Sequence, residues 1–173
     1  MADGTFAVLM LVLGLADMST NHCGTSNGCM GKSYDTPRLA FSFGEVLERR
    51  AEPASEVYLR YDLGFKLGPF GNAVGASVGE NGEVWVGFGQ TYKIDIGDTP
   101  FYTELHAMPG LYLDNGGFDL GGPLEFRSGI EFGYENRRGW RFAASYDHRS
   151  NAGIYDENPG IETVQLRMSI PFN

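Results

Sequence analysis

Thr163-Val164-Gln165-Leu166-Arg167-Met168-Ser169-Ile170-Pro171-Phe172 carries Val, Leu, Met, Ile and Phe on one parity. Thr163, Gln165, Arg167 and Ser169 hold the other. Successive side chains of a strand point to opposite faces, so this stretch is a strand with one greasy and one polar face. The same period recurs upstream. Trp140, Phe142, Ala144 and Tyr146 alternate with Arg141, Ser145 and Asp147. Phe126, Ile130, Phe132 and Tyr134 alternate with Glu125, Arg127, Glu131 and Glu135. Val57, Leu59, Tyr61, Leu63 and Phe65 alternate with Arg60, Asp62 and Lys66.

Turn residues divide the chain into eight strands, at 36–46, 55–67, 70–79, 82–93, 100–113, 123–135, 138–150 and 160–172. Glu80-Asn81-Gly82 marks a tight hairpin and Asp114-Asn115-Gly116-Gly117 a longer loop. No repeat or linker interrupts them, so 36–173 reads as one β domain. In a soluble lipocalin-like barrel the apolar face would point inward; in a membrane barrel it faces lipid. Three features favour the membrane form. The polar face is charged on several strands (Arg60, Asp62, Glu104, Arg127, Glu131, Arg141, Asp147, Arg149, Arg167), and such charges can pair across a lumen. The apolar face is aromatic near strand ends, and the final strand ends on Phe172, followed only by Asn173. The expected fold is all-β: an eight-stranded antiparallel transmembrane β-barrel with a filled polar interior. An even strand count puts both termini in the periplasm, so the loops 46–55, 114–122 and 151–159 face outside.

The 173 residues carry a formal charge of -9 and only 20% charged residues. With no basic stripe, nucleic acid is not an expected partner. The one long apolar run, Phe6 to Leu15, is too short to cross a bilayer as a helix. It reads as the core of a secretory signal over 1–16, with Gly14 and Ala16 small at three and one before Asp17. Met1-Ala2-Asp3-Gly4 has an acid and no Lys or Arg, which departs from that pattern and leaves a buried first strand as the alternative. In the segment 17–35, Cys23 and Cys29 are a candidate disulfide suited to an oxidising compartment. A metal site with His22 lacks a fourth ligand, and Thr20-Asn21-His22 lacks the residues of a lipid-attachment site. No metal or cofactor is expected.

Three polar residues interrupt the apolar stripes beside the last long loop. His148 and Ser150 continue the Trp140–Tyr146 parity, and Glu162 begins the Val164–Phe172 parity. If His148 lies opposite Glu162, paired positions sum to 310 and the loop centres on Tyr155. Opposed Cβ atoms are about 4.5–5.5 Å apart, and same-face neighbours two residues apart are roughly 6–7 Å apart. This spacing permits a relay with Ser150 as nucleophile, His148 as base and Glu162 fixing its tautomer. The bland alternative is interfacial polar residues at a barrel rim, with Glu162 reaching into headgroups.

His148-Arg149-Ser150-Asn151-Ala152-Gly153-Ile154 with Asn158-Pro159-Gly160-Ile161-Glu162 resembles the C-terminal signature of the PagL-type outer-membrane lipid A 3-O-deacylases. In that family a His-x-Ser-Asn-Ala-Gly segment precedes Asn-x-Gly-Ile-Glu at this separation. The close match covers about the last 25 residues; upstream it rests on size and strand count. The resemblance implies a serine esterase of the bacterial outer membrane that removes the 3-O acyl chain from lipid A of lipopolysaccharide in the outer leaflet. It assigns Ser150 as nucleophile, His148 as general base and Glu162 as third member. It makes the N–H groups of Ala152 and Gly153 the oxyanion hole, with Asn151 bracing the turn. Arg149, Tyr155 and Asp156 are candidates for orienting sugar or phosphates, and a homodimer stays open. The competing class is a non-catalytic structural or lipopolysaccharide-binding barrel.

Weaker signals have plainer readings. Gly75-Ala76-Ser77-Val78-Gly79 matches G-x-S-x-G, but a strand rather than a helix follows, so Ser77 is an interior residue. His106 and Glu104 share the polar face and are expected to pair inside. Gly75, Gly79, Gly87 and Gly89 are expected to permit curvature.

Overall fold

A computed structural model describes residues 4–47 and 54–172 of the chain. Helix α1 (Thr5–Asp17) runs into a further helical turn, Met18–His22, and is followed by nine strands. These are β1 Lys32–Tyr34, β2 Arg38–Leu47, β3 Ala54–Leu67, β4 Phe70–Gly79, β5 Val84–Asp95, β6 Phe101–Leu113, β7 Leu124–Glu135, β8 Arg141–Ser150 and β9 Ile161–Pro171. From β2 to β9 each strand pairs antiparallel with its chain neighbour, and β2 pairs with β9 to close the ring. Closure satisfies the backbone without a free barrel edge, as lipid requires. The eight expected strands are the eight of the barrel.

Their ends shift for local reasons. β5 starts at Val84 because Gly79 and Glu83 are hydrogen-bonded around the turn. β8 starts at Arg141 because Asn136 Oδ1 accepts the Arg138 and Trp140 N–H groups and holds 136–140 as a turn. The ninth strand was not expected. β1 pairs only with the far end of β3, beyond a bulge between Asp62 and Lys66 where β3 leaves its β4 register. Residues 48–53 of the loop expected at 46–55 lie outside the described residues, as do residues 1–3 of the expected signal's start.

Outside, the wall is apolar: Leu166, Leu111, Phe132 and Val86 are exposed. Near the end where β2 begins and β9 finishes, Phe101 lies 5.7 Å from both Phe132 and Tyr134, and Tyr61 lies 6.2 Å from Phe172, forming an aromatic belt. Inside, charges pair across the lumen. Arg60 donates to Glu104 at 2.6 Å, Arg127 Nε to Asp147 at 2.7 Å, and Arg167 to Glu131. Glu56 on β3 is a hub. It accepts from Gln165 (2.9 Å), Ser77 (2.8 Å) and Arg149 (2.5 Å), on β9, β4 and β8, and forms an ion pair with Arg127 on β7, N to O 2.9 Å. Such pairing offsets desolvation that would cost each lone charge several kcal/mol.

One interior expectation changes. His106 is fully buried but faces Asp147, Nε2 to Oδ1 3.6 Å, because Arg60 takes Glu104. Two of the glycines on β4 and β5 also make room for aromatic rings: a Cβ on Gly75 would come within 2.4 Å of Tyr58, and one on Gly87 within 2.3 Å of Trp85. These rings, with Tyr112, Leu120 and Ile161, fill the lumen toward the long loops.

Phe6 to Leu15 is helical, which rules out the alternative of a buried first strand. α1 lies against the outer wall over the cross-strand row Tyr146, Ile130, Leu105, Tyr92 and Phe70. Met10 is buried there, Phe6 packs edge-on to Tyr146 at 5.8 Å, and Tyr92 Oη donates to Asp17 at 3.2 Å. Val8, Val12 and Leu15 on its far side are exposed. Cys23 and Cys29 are joined in a disulfide.

Candidate active site

β8 and β9 pair with His148 directly opposite Glu162, the register that a loop centred on Tyr155 requires. Parity places both side chains, with Ser150, on the outer wall next to the 151–160 loop. His148 Nδ1 lies 3.0 Å from Glu162 Oε1. With the carboxylate accepting, Nδ1 carries the proton and Nε2 is left as the basic lone pair. That Nε2 is buried and has no hydrogen-bond partner among the described residues. Ser150 is therefore brought beside the imidazole but not bonded to it. A serine–histidine bond is often long before substrate arrives.

Ser150 and His148 line one groove of about 500 Å³ in the outer wall. Its sides are set by the register. Ser150 stands opposite Phe126, which stands opposite Pro109, so an apolar row leads away from the serine. The N-terminal end of α1, at Gly4 and Ala7, forms part of the groove's rim.

After Ser150 the chain reverses through two left-handed residues, Ala152 (φ 56°) and Gly153 (φ 77°). Asn151, fully buried, holds this turn from every side. Its N–H donates to Asn158 Oδ1 (3.1 Å), and its Nδ2 donates to the carbonyls of Leu120 (2.8 Å) and Glu157 (2.7 Å). Its Oδ1 accepts the Gly153 N–H at 2.9 Å. Gly153's N–H is thus engaged, and Ala152's is the donor of the expected pair without such a partner among the described residues.

Arg149 does not reach the site's outer side. It points into the lumen, 2% exposed, onto Glu56 and Ser77, because it has the opposite parity to His148 and Ser150. Tyr155 ties loops together: its Oη accepts the Leu124 N–H at 3.3 Å, and a Cβ on Gly122 would meet its ring at 2.2 Å. Asp156 is exposed in the loop. Ser77 faces the lumen and donates to Glu56.

Two site residues escaped the sequence reading. Ser128 faces outward on β7 directly opposite His148, buried at the groove's floor. Its signal was present: it breaks the stripe between Phe126 and Ile130. Gly160 (φ 64°) sits against the imidazole, where a Cβ would be 3.0 Å from His148 Cε1.

Among solved structures, the outer membrane enzyme PagL is similar at 18% identity, covering 78% of this chain and 99% of its own, with a TM-score of 0.63. De novo designed transmembrane β-barrels are similar at 10% identity, covering 81% and 98%, with a TM-score of 0.59. Neisserial surface protein A (NspA) follows at 13% identity, covering 82% and 99%, with a TM-score of 0.54. These likenesses establish an outer-membrane barrel fold. No curated protein matches the chain. The family model described as lipid A 3-O-deacylase (PagL) matches residues 54–171, spanning the closed barrel from β3 onward and all three outward polar residues, and the chain belongs to that family.

Proposed function

We propose that this chain is an outer-membrane serine esterase that hydrolyses the ester holding the 3-O acyl chain of lipid A, acting from the outer leaflet. The observation that carries the reading is the His148–Glu162 pair at 3.0 Å on the lipid-facing wall, in one groove with Ser150. A nucleophile on the outside of a barrel meets an ester at the headgroup boundary without extracting the lipid. Residues 1–16 serve as the export signal in this reading. Their removal bares the row from Tyr146 to Phe70 and opens the groove to lipid.

Ser150 Oγ attacks the ester carbonyl as His148 Nε2 takes its proton, and Glu162 stabilises the resulting imidazolium. The Ala152 N–H holds the tetrahedral oxyanion on a turn that Asn151 keeps rigid; one such donor is worth about 2.7–4 kcal/mol. His148 returns the proton to the departing sugar hydroxyl, and water then hydrolyses the acyl-enzyme by the same route. The acyl chain rests on Phe126 and Pro109. Incubating lipid A with wild type and with Ser150→Ala, followed by product mass and released fatty acid, tests the reading. Loss of one acyl chain with wild type alone is expected. No acyl loss with either would leave the non-catalytic barrel, and equal loss with both would mean another nucleophile.

A further inference from the structure

The second half-reaction needs a water molecule on a wall that faces hydrocarbon, and something must hold it at His148. We infer that Ser128 is that group: its hydroxyl binds the hydrolytic water beside His148 Nε2. The inference rests on the esterase reading above. Register separates the groove into two rows. The row that starts at Ser150 continues through Phe126 and Pro109 and is apolar, which suits an acyl chain. The row that starts at His148 continues to Ser128, which is polar and unable to serve the lumen because it points outward. Directly opposed side chains have Cβ atoms about 4.5–5.5 Å apart, a span that one bridging water fills. His148 Nε2, buried and without a partner among the described residues, is the second polar group such a water requires. A lone hydroxyl on a lipid-facing stripe otherwise has only a desolvation cost to show. Asn158 lines the same groove from the loop, where solvent enters.

The step balances without another reactant. One proton of the water passes to His148 Nε2 as its oxygen bonds the acyl carbon. The bond from Ser150 Oγ to that carbon then breaks, and the proton returns from His148 to Ser150 Oγ. The free carboxylic acid leaves.

Rapid quench with an activated acyl ester, with the acyl adduct on Ser150 followed by mass spectrometry, tests the assignment. For Ser128→Ala the burst of acylation keeps its rate, steady-state turnover falls roughly tenfold, the loss expected for one hydrogen bond, and the adduct accumulates. Hydroxylamine, a nucleophile that needs no held water, restores turnover in Ser128→Ala, and Ser128→Thr retains most of it. Unchanged heat-modified gel mobility shows that each variant folds. Equal slowing of burst and turnover, or no accumulation of adduct, would overturn the role of Ser128 while leaving Ser150 in place. Absence of any adduct in wild type would instead bring down the esterase reading itself.

Discussion

His148 and Glu162 stand directly opposite each other on β8 and β9, with Nδ1 and Oε1 3.0 Å apart on the outer wall of the barrel. The carboxylate fixes the tautomer that leaves Nε2 basic. On the proposed mechanism Ser150→Ala and His148→Ala should each lower kcat by about 10⁴-fold or more, and the double variant should be little worse, because a nucleophile and its base act as a unit. Glu162→Ala should be milder by about tenfold to a hundredfold, since it orients the base and does not transfer the proton. Lipid product analysis over a time course measures all four.

Gly160 governs how closely the loop approaches the base. At φ 64° an alanine is strained, and its Cβ would lie 3.0 Å from His148 Cε1. Left-handed backbone costs a non-glycine residue roughly 1–2 kcal/mol. Gly160→Ala should therefore reduce activity by about tenfold or more as the ring is displaced, while the unfolding free energy in urea falls by no more than that strain. An unaltered kcat would show that the imidazole position tolerates the intrusion.

Phe126 extends the apolar row from Ser150, so on the proposed mechanism Phe126→Ala removes surface for the acyl chain and leaves the relay residues in place. KM should rise by about tenfold, in keeping with about 1.5–3 kcal/mol for a buried apolar side chain, with kcat nearly unchanged. Titration with short-chain and long-chain esters provides the check: only long chains should feel the change.

Period-two alternation made the barrel legible because lipid outside and paired charges inside impose opposite demands on neighbouring residues. The outward direction of His148, Ser150 and Glu162 followed from the same parity. So did the inward direction of Arg149, although its place between two site residues invites a substrate-binding role. Ser128 was visible as a polar break in its stripe. β1 was not legible: Lys32, Ser33 and Tyr34 are all exposed, carry no alternation, and pair only where β3 runs past its bulge. The contact of Gly160 with His148 and the capture of the Gly153 N–H by Asn151 depend on how the 151–160 loop folds, which no periodicity encodes.

Glu56 gives the barrel interior its most exacting prediction. Its two oxygens meet partners from four other strands, among them the guanidinium groups of Arg127 and Arg149 at 2.9 and 2.5 Å, and it is 2% exposed. Glu56→Ala would leave two buried guanidinium groups without this carboxylate. Breaking a buried pair by removing one partner costs about 3–5 kcal/mol. Arg127 retains Asp147 at 2.7 Å, which cushions its loss, whereas Arg149 is left with Ser77 at 3.4 Å. The destabilisation should therefore be relieved in part by Arg149→Met, which removes the stranded charge and keeps the volume, but not by Arg127→Met, which strands Asp147 in turn. Urea unfolding of the single and double variants in detergent micelles reads this as a coupling energy. Because Arg149 lies between His148 and Ser150 on β8, activity of Glu56→Ala should fall along with stability and recover with it in the Arg149→Met background. Recovery of stability without recovery of activity would show that the arginine anchors the site as well as the lumen.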